Sequence, residues 1–237
     1  MRSPALAAFT MAVALPLTGL AATGTAVAQS SPSQRVSINE CEGVPKVYDT
    51  GADQFLCTRR ELGPVTLPTS PVLKALLKDY NRLGGVTPAR FLDWYRDWRG
   101  WKYPDHNGFT ANGGNLDMTE VTLPTGKKLD RFGSNDRGRF LAPGGTRFAE
   151  RALPPDSLNG GEANYHCFEV RKAFKVQQGH IAGAFSQPGN GLQQWLDPDL
   201  KPNDPTLTTF DVSGLITAGY LKEHTDKSYC LKGNSGS

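Results

Sequence analysis

Four short polar stretches, three of them glycine-bearing, hold the side chains best suited to chemistry. The first, Leu129-Asp130-Arg131-Phe132-Gly133-Ser134, sets a guanidinium beside an aromatic ring where a strand enters a glycine turn. The second runs from Arg139-Phe140-Leu141-Ala142-Pro143-Gly144-Gly145 to Glu150-Arg151-Ala152-Leu153-Pro154-Pro155, and the third is Tyr165-His166. The fourth, Gln187-Pro188-Gly189-Asn190-Gly191-Leu192-Gln193, reads as a tight turn presenting side-chain amides. A guanidinium pairs with phosphate oxygens through two parallel N–H donors, and a ring face stacks on a flat heterocycle. A glutamine can hydrogen-bond ribose hydroxyls or hold a water.

Each stretch also has a plain structural use. Arg131 next to Asp130 can be a surface ion pair, and most such pairs do little. Phe132 can be a core ring, the Gly-Pro runs ordinary turns, and His166 a hydrogen-bonded strand residue. No stretch decides the matter alone.

Several reaction classes have no support in the sequence. It contains no Gly-x-Ser-x-Gly, no P-loop and no Gly-x-Gly-x-x-Gly opening a helix. Its four histidines are scattered, and no Cys-x-x-Cys or His-x-x-x-His spacing points to zinc, so no metal site is expected. Paired carboxylates for hydrolysing an ordinary glycoside cannot be picked out by spacing.

The elements that must carry these residues begin after an export signal. Met1-Arg2, an uncharged Ala-rich run to Ala22, and Ala26-Val27-Ala28 predict a cleavable secretory signal peptide over residues 1–28. Export as a secreted, extracellular protein follows, and no later stretch could span a bilayer, so no membrane partner is expected. Without Arg2, 25 Lys+Arg face 23 Asp+Glu, and no basic run is present to track a phosphate backbone. Nucleic acid is therefore excluded as the main partner. The even count of four cysteines favours disulfides in an exported chain. Three pairings are open; the local pair Cys41–Cys57, with Cys167 joined to Cys230 near the C-terminus, is the one favoured.

Residues 29–105 read as a helical, disulfide-stapled lobe. Ser70-Pro71 starts one helix with Leu73, Leu76, Leu77 and Tyr80 on one face, stopped by Gly84-Gly85. Thr87-Pro88 starts a second with Phe91, Leu92, Tyr95 and Trp98, stopped by Gly100, and Trp94, Trp98 and Trp101 are expected in the core. From 106 to 237 the texture turns to β. Residues 120–123 and 128–132 flank a Pro-Thr-Gly turn, 165–170 alternates with period two, and 174–176 continues in kind. A short helix is expected over 211–222. The fold class is α+β, a small antiparallel or mixed sheet behind the N-terminal lobe.

The order and spacing of the four stretches resemble the tuberculosis necrotizing toxin domain family, in particular its secreted fungal-surface branch. The resemblance is close from Leu123 to Gln193. It is looser upstream at Leu62-Gly63-Pro64-Val65 and from Tyr103-Pro104 to Gly108-Phe109, and downstream through Gly214-Leu215-Ile216 and Gly219-Tyr220-Leu221. It implies cleavage of the nicotinamide–ribose bond of NAD⁺, and often of NADP⁺, with NAD⁺ as substrate and no separate cofactor. On the matching positions, Arg131 contacts the substrate phosphates, Phe132 lines the nicotinamide side, and Gln193 is the essential glutamine near the reacting ribose. Arg151, His166 and Gln187 fall on motif positions as substrate-binding residues.

The chain also departs from the family pattern. Its Phe132-Gly133-Ser134-Asn135-Asp136-Arg137-Gly138 is one residue longer than the family's turn and lacks a tyrosine. Gly183-Ala184-Phe185 replaces a Pro-Trp-Phe, and the tail around Glu223-His224-Thr225-Asp226-Lys227 is too weakly acidic to expect calcium there. Two other readings fit the same motifs, an ADP-ribosyltransferase toxin and a catalytically decayed NAD-binding or surface-interaction module. The oligomeric state, a homodimer included, and any immunity protein stay open at this level.

Overall fold

A computed structural model describes residues 38–46, 51–134 and 137–232. The expected signal peptide, residues 1–28, lies outside the described residues.

The two predicted helix starts form as read. Ser70 Oγ accepts the Leu73 N–H across 3.4 Å and Pro71 opens α1 (Pro71–Leu76). Thr87 Oγ1 likewise accepts the Arg90 N–H across 3.4 Å, and Pro88 opens α2 (Pro88–Tyr95). Both helices stop earlier than their apolar spacing suggests. After α1 the chain turns at Asp79, which takes φ 63°. After α2 it becomes extended at Arg96 and folds into a small hairpin, β1 (Arg96–Asp97) with β2 (Gly100–Trp101). Trp98 therefore leaves the helical face and stands 86 % exposed on the hairpin turn, and Trp94 is also exposed. The expectation that both are core is overturned: for Trp98 because the 3.6-residue period no longer applies past Tyr95, and for Trp94, still on α2, because it flanks the face that buries Pro88 and Phe91. Trp101 does pack inward, its ring centroid 5.4 Å from that of Phe185.

A second small hairpin, β3 (Ala111–Asn112) with β4 (Asn115–Leu116), leads into the main sheet. That sheet holds β5 (Thr119–Leu123), β6 (Lys128–Phe132), β7 (Phe140–Pro143), β8 (Tyr165–Val170), β9 (Phe174–His180), β10 (Leu192–Trp195) and β11 (Leu221–His224). Its order is β11-β8-β6-β7-β10-β9-β5, and every pairing in it is antiparallel. β5 and β6 flank the Pro-Thr-Gly turn but pair with different strands, β5 with β9 and β6 with β7 and β8. The sheet thus doubles over, and Leu123, Leu129, Phe168, Val176 and Leu196 meet in a core closed by α3 (Val212–Thr217). The helix expected over 211–222 is shorter than read: Gly219 at φ 72° ends that region, and the following residues become edge strand β11.

The N-terminal residues share cores with the rest of the chain. Val72, Leu73 and Leu76 of α1 pack with Phe132, Phe148 and Tyr165, while Leu62 and Phe91 pack with Ile181 and Phe185. The described residues form one compact unit. Cys41 bonds Cys57 and Cys167 bonds Cys230, with Cα separations of 5.3 and 5.8 Å. The second bond fastens the 3₁₀ turn Lys227–Leu231 to β8.

Candidate active site

A cavity of about 690 Å³ opens where the start of β7, the end of β6, β10 and the segment 103–108 meet. Four sequence-predicted residues line it: Arg131, Phe132, Arg151 and Gln193. They come from β6, the 3₁₀ turn Ala149–Arg151 and β10, which antiparallel pairing through β7 brings side by side.

Beneath the cavity lies a buried ion pair. Asp130 is fully buried and Arg151 nearly so, and their side chains are in direct contact. The Tyr165 hydroxyl and the Gly145 N–H donate to the other Asp130 oxygen across 2.7 and 2.8 Å. Burial raises the Asp130 carboxyl above its ordinary value, and Arg151, Tyr165 and Gly145 pull against that rise. Asp130 is therefore not half of a surface ion pair with Arg131. Arg151 also donates to the Thr146 carbonyl across 2.9 Å from Nε and 2.7 Å from Nη2, and its guanidinium lies 5.3 Å from the Phe132 ring centroid. Phe132 is gripped in turn by the rings of Phe148 and Tyr165, at 5.0 and 5.1 Å. This ring is both core and cavity wall.

Gln193 is nearly buried, and its Nε2 donates to the Asn107 carbonyl across 3.0 Å. With the NH₂ end so engaged, the amide oxygen is the end offered to a ligand donor. The turn that Gln193 holds is strained: His106, Asn107 and Gly108 take φ values of 56°, 57° and 79° in succession. A left-handed non-glycine residue costs about 1–3 kcal/mol and persists where surrounding contacts fix it. Here the Ala182 N–H, donating to the Gly108 carbonyl across 2.8 Å, supplies a second tether.

His166 and Gln187 do not line the cavity. His166 stands opposite Arg131 in the β6–β8 register, with Nε2 3.0 Å from the Gly133 carbonyl and Nδ1 2.8 Å from Glu223 Oε1. Gln187 Nε2 donates to the Asn81 carbonyl across 2.6 Å, fastening the turn before β10 to the loop after α1.

Sequence reasoning missed two cavity features. Tyr103 and Phe140 are solvent-exposed rings in its wall, and the turn 105–108 is its other rim. The loose resemblance from Tyr103 to Phe109 was the only sequence signal for that rim, and Phe140 sat unremarked inside a motif. Among the described residues no group of three or more His, Cys, Asp or Glu side chains converges to hold a metal ion, and no helix is long and apolar enough to cross a membrane.

The chain is similar to known proteins over the same region. Residues 122–224 match the family model described as tuberculosis necrotizing toxin. The conidial surface nicotinamide adenine dinucleotide glycohydrolase nadA of Aspergillus fumigatus is 39 % identical over 203 residues, covering 80 % of this chain and 77 % of that protein. A solved structure of tuberculosis necrotizing toxin complexed with its immunity factor IFT is 22 % identical, with a TM-score of 0.48 over 65 % of this chain and 82 % of its own. By its likeness to the Aspergillus protein across four-fifths of its length, the chain belongs to the tuberculosis necrotizing toxin family.

Proposed function

We propose that this chain is a secreted NAD⁺ glycohydrolase that cleaves the nicotinamide–ribose bond to nicotinamide and ADP-ribose. The observation that carries the reading is the convergence of Arg131, Phe132 and Gln193 on one cavity of about 690 Å³. That volume lies within the range of small-molecule sites. The name of the Aspergillus relative supports the substrate. NADP⁺, which the family often takes, falls under the same reading.

The chemistry asks little of an acid. When the C1′–N1 bond breaks, its electron pair goes to the pyridinium nitrogen and nicotinamide leaves neutral. The ribosyl group becomes an oxocarbenium ion, water adds at C1′, and one water proton is released. The site must therefore fix the dinucleotide, exclude stray conformers and orient a donor or water at C1′. Arg131 serves the pyrophosphate and the edge of Phe132 bounds the nicotinamide. The Gln193 amide oxygen orients the ribose hydroxyls or the attacking water. Arg151 acts from below by holding Asp130 and Phe132. Strands β6, β7 and β10 carry most of this chemistry, while α1 and α2 buttress it through the shared cores and Tyr103, Pro104 and Asp105 complete the cavity wall.

Two disulfides agree with an exported, oxidising setting. The deciding experiment is product analysis of NAD⁺ after incubation with the oxidised protein. Free nicotinamide and ADP-ribose in equal amounts are expected. ADP-ribose retained on protein would replace the reading with a transferase, and NAD⁺ recovered intact would replace it with a binding module.

A further inference from the structure

Arg131 rests against two glycines that follow β6, Gly133 and Gly138. A Cβ built on Gly138 would fall on the Arg131 Nη1, Nη2 and Cζ atoms, inside any allowed contact. One built on Gly133 would fall on Nη2 and come within 3.1 Å of Cζ. At both positions the three nearest atoms all belong to this one guanidinium. The space a side chain would fill at each glycine is thus the space Arg131 occupies.

Two backbone hydrogen bonds and one side-chain contact, from three separate elements, fix the two glycines. The Gly133 N–H donates to the Asn164 carbonyl across 2.9 Å, and the Gly133 carbonyl faces His166 Nε2 at 3.0 Å. The Gly138 carbonyl accepts the Val212 N–H across 3.1 Å at the start of α3. α3 itself is capped by Asp211, whose Oδ1 accepts the Gly214 N–H across 2.8 Å. The seat is therefore anchored to the turn before β8, to β8 and to α3.

We infer that Gly133 and Gly138 are positioning residues, a backbone seat that presets the Arg131 guanidinium for the phosphates of the dinucleotide. This rests on the function proposed above. A long arginine free to sample its rotamers would lose that freedom on binding, whereas a seated one has already lost it. The glycines supply the shape with their Cα atoms, so a methyl group at 138 displaces the guanidinium and meets flexible side-chain atoms first.

A double-mutant cycle on the oxidised full chain tests this. Gly138→Ala is the main variant, because Gly133 adds a φ of 157° that burdens any substitution. With NAD⁺ as substrate, Gly138→Ala is expected to lower kcat/KM at least tenfold. In an Arg131→Ala background it is expected to change kcat/KM less than twofold. Full activity of Gly138→Ala, or an equal loss in both backgrounds, overturns the inference. Melting temperature gives a second cycle that needs no activity. Any drop caused by Gly138→Ala should be relieved when Arg131 is also alanine, and an equal drop in both backgrounds overturns the seat. If the wild-type chain releases no nicotinamide, the proposed function falls, while the melting cycle still judges the seat.

Discussion

The side-chain amide of Gln193 on β10 donates to the backbone carbonyl of Asn107, 86 residues earlier in the chain, across 3.0 Å. One contact therefore fixes both the amide in the cavity and the rim that closes over it. The rim needs such a tether, since two successive non-glycine residues there are left-handed. In return, the carbonyl selects which end of the amide faces the ligand.

Replacing Gln193 by alanine is expected to lower kcat for NAD⁺ about 10²- to 10³-fold, the loss typical of one oriented polar group in a closed site. Gln193→Glu should fail as well, because its carboxylate has no N–H for the Asn107 carbonyl and repels it. Steady-state kinetics with circular dichroism as a folding check would decide this. A folded Gln193→Ala protein with near wild-type kcat would remove Gln193 from the mechanism.

Arg151 carries a different expectation, stability before activity. Arg151→Met leaves the Asp130 carboxylate buried without its cation, and breaking a buried pair this way costs about 3–5 kcal/mol. Adding Asp130→Asn should recover part of that loss. The amide oxygen still accepts from Tyr165 and Gly145, and no charge remains to be buried. Urea unfolding of the two variants is the measurement, and a single variant as stable as the double one would contradict the account.

Phe140 is 43 % exposed although it lines the cavity, so its ring is offered to a ligand more than to the core. An aromatic contact of this kind contributes about 0.5–1.5 kcal/mol. Phe140→Ala is therefore expected to raise KM for NAD⁺ about two- to tenfold, with the melting temperature nearly unchanged. An unchanged KM would place the ring outside the substrate's path.

Much of this arrangement was legible in the residues. The Ser70-Pro71 and Thr87-Pro88 starts were readable because capping is local, a hydroxyl reaching an N–H three residues on. Strand β8 was readable from its period-two alternation, and β6 from its place beside the Pro-Thr-Gly turn. The order in which strands pair was not, because β5 and β6 are neighbours in sequence yet pair with different strands, and no local signal encodes that. For the same reason Asp130 could be taken as a partner of adjacent Arg131, whereas its partner Arg151 lies 21 residues on. The glycine seat was equally hidden: a glycine in a motif announces a turn, and only coordinates show what fills its missing side chain.

The His166–Glu223 contact leads to a pH dependence. Burial tends to raise the Glu223 carboxyl, but hydrogen bonding to His166 and the charges of His166 and Lys227 outweigh this, leaving it below the ordinary glutamate value of 4.5. Glu169, on the neighbouring strand, is also lowered: its slight burial opposes the shift, while contacts with His224, Arg171 and Tyr229 prevail. A carboxyl with a lowered folded-state value adds stability above its unfolded value and loses it as pH falls through the folded one. The β11–β8 edge should thus hold at neutral pH and weaken below about pH 4.5. Melting temperature followed from pH 7 down to pH 3 is expected to fall less steeply for Glu223→Gln than for the unsubstituted chain, with the two curves converging in acid. Parallel curves over the whole range would mean that Glu223 contributes through packing and not through its charge.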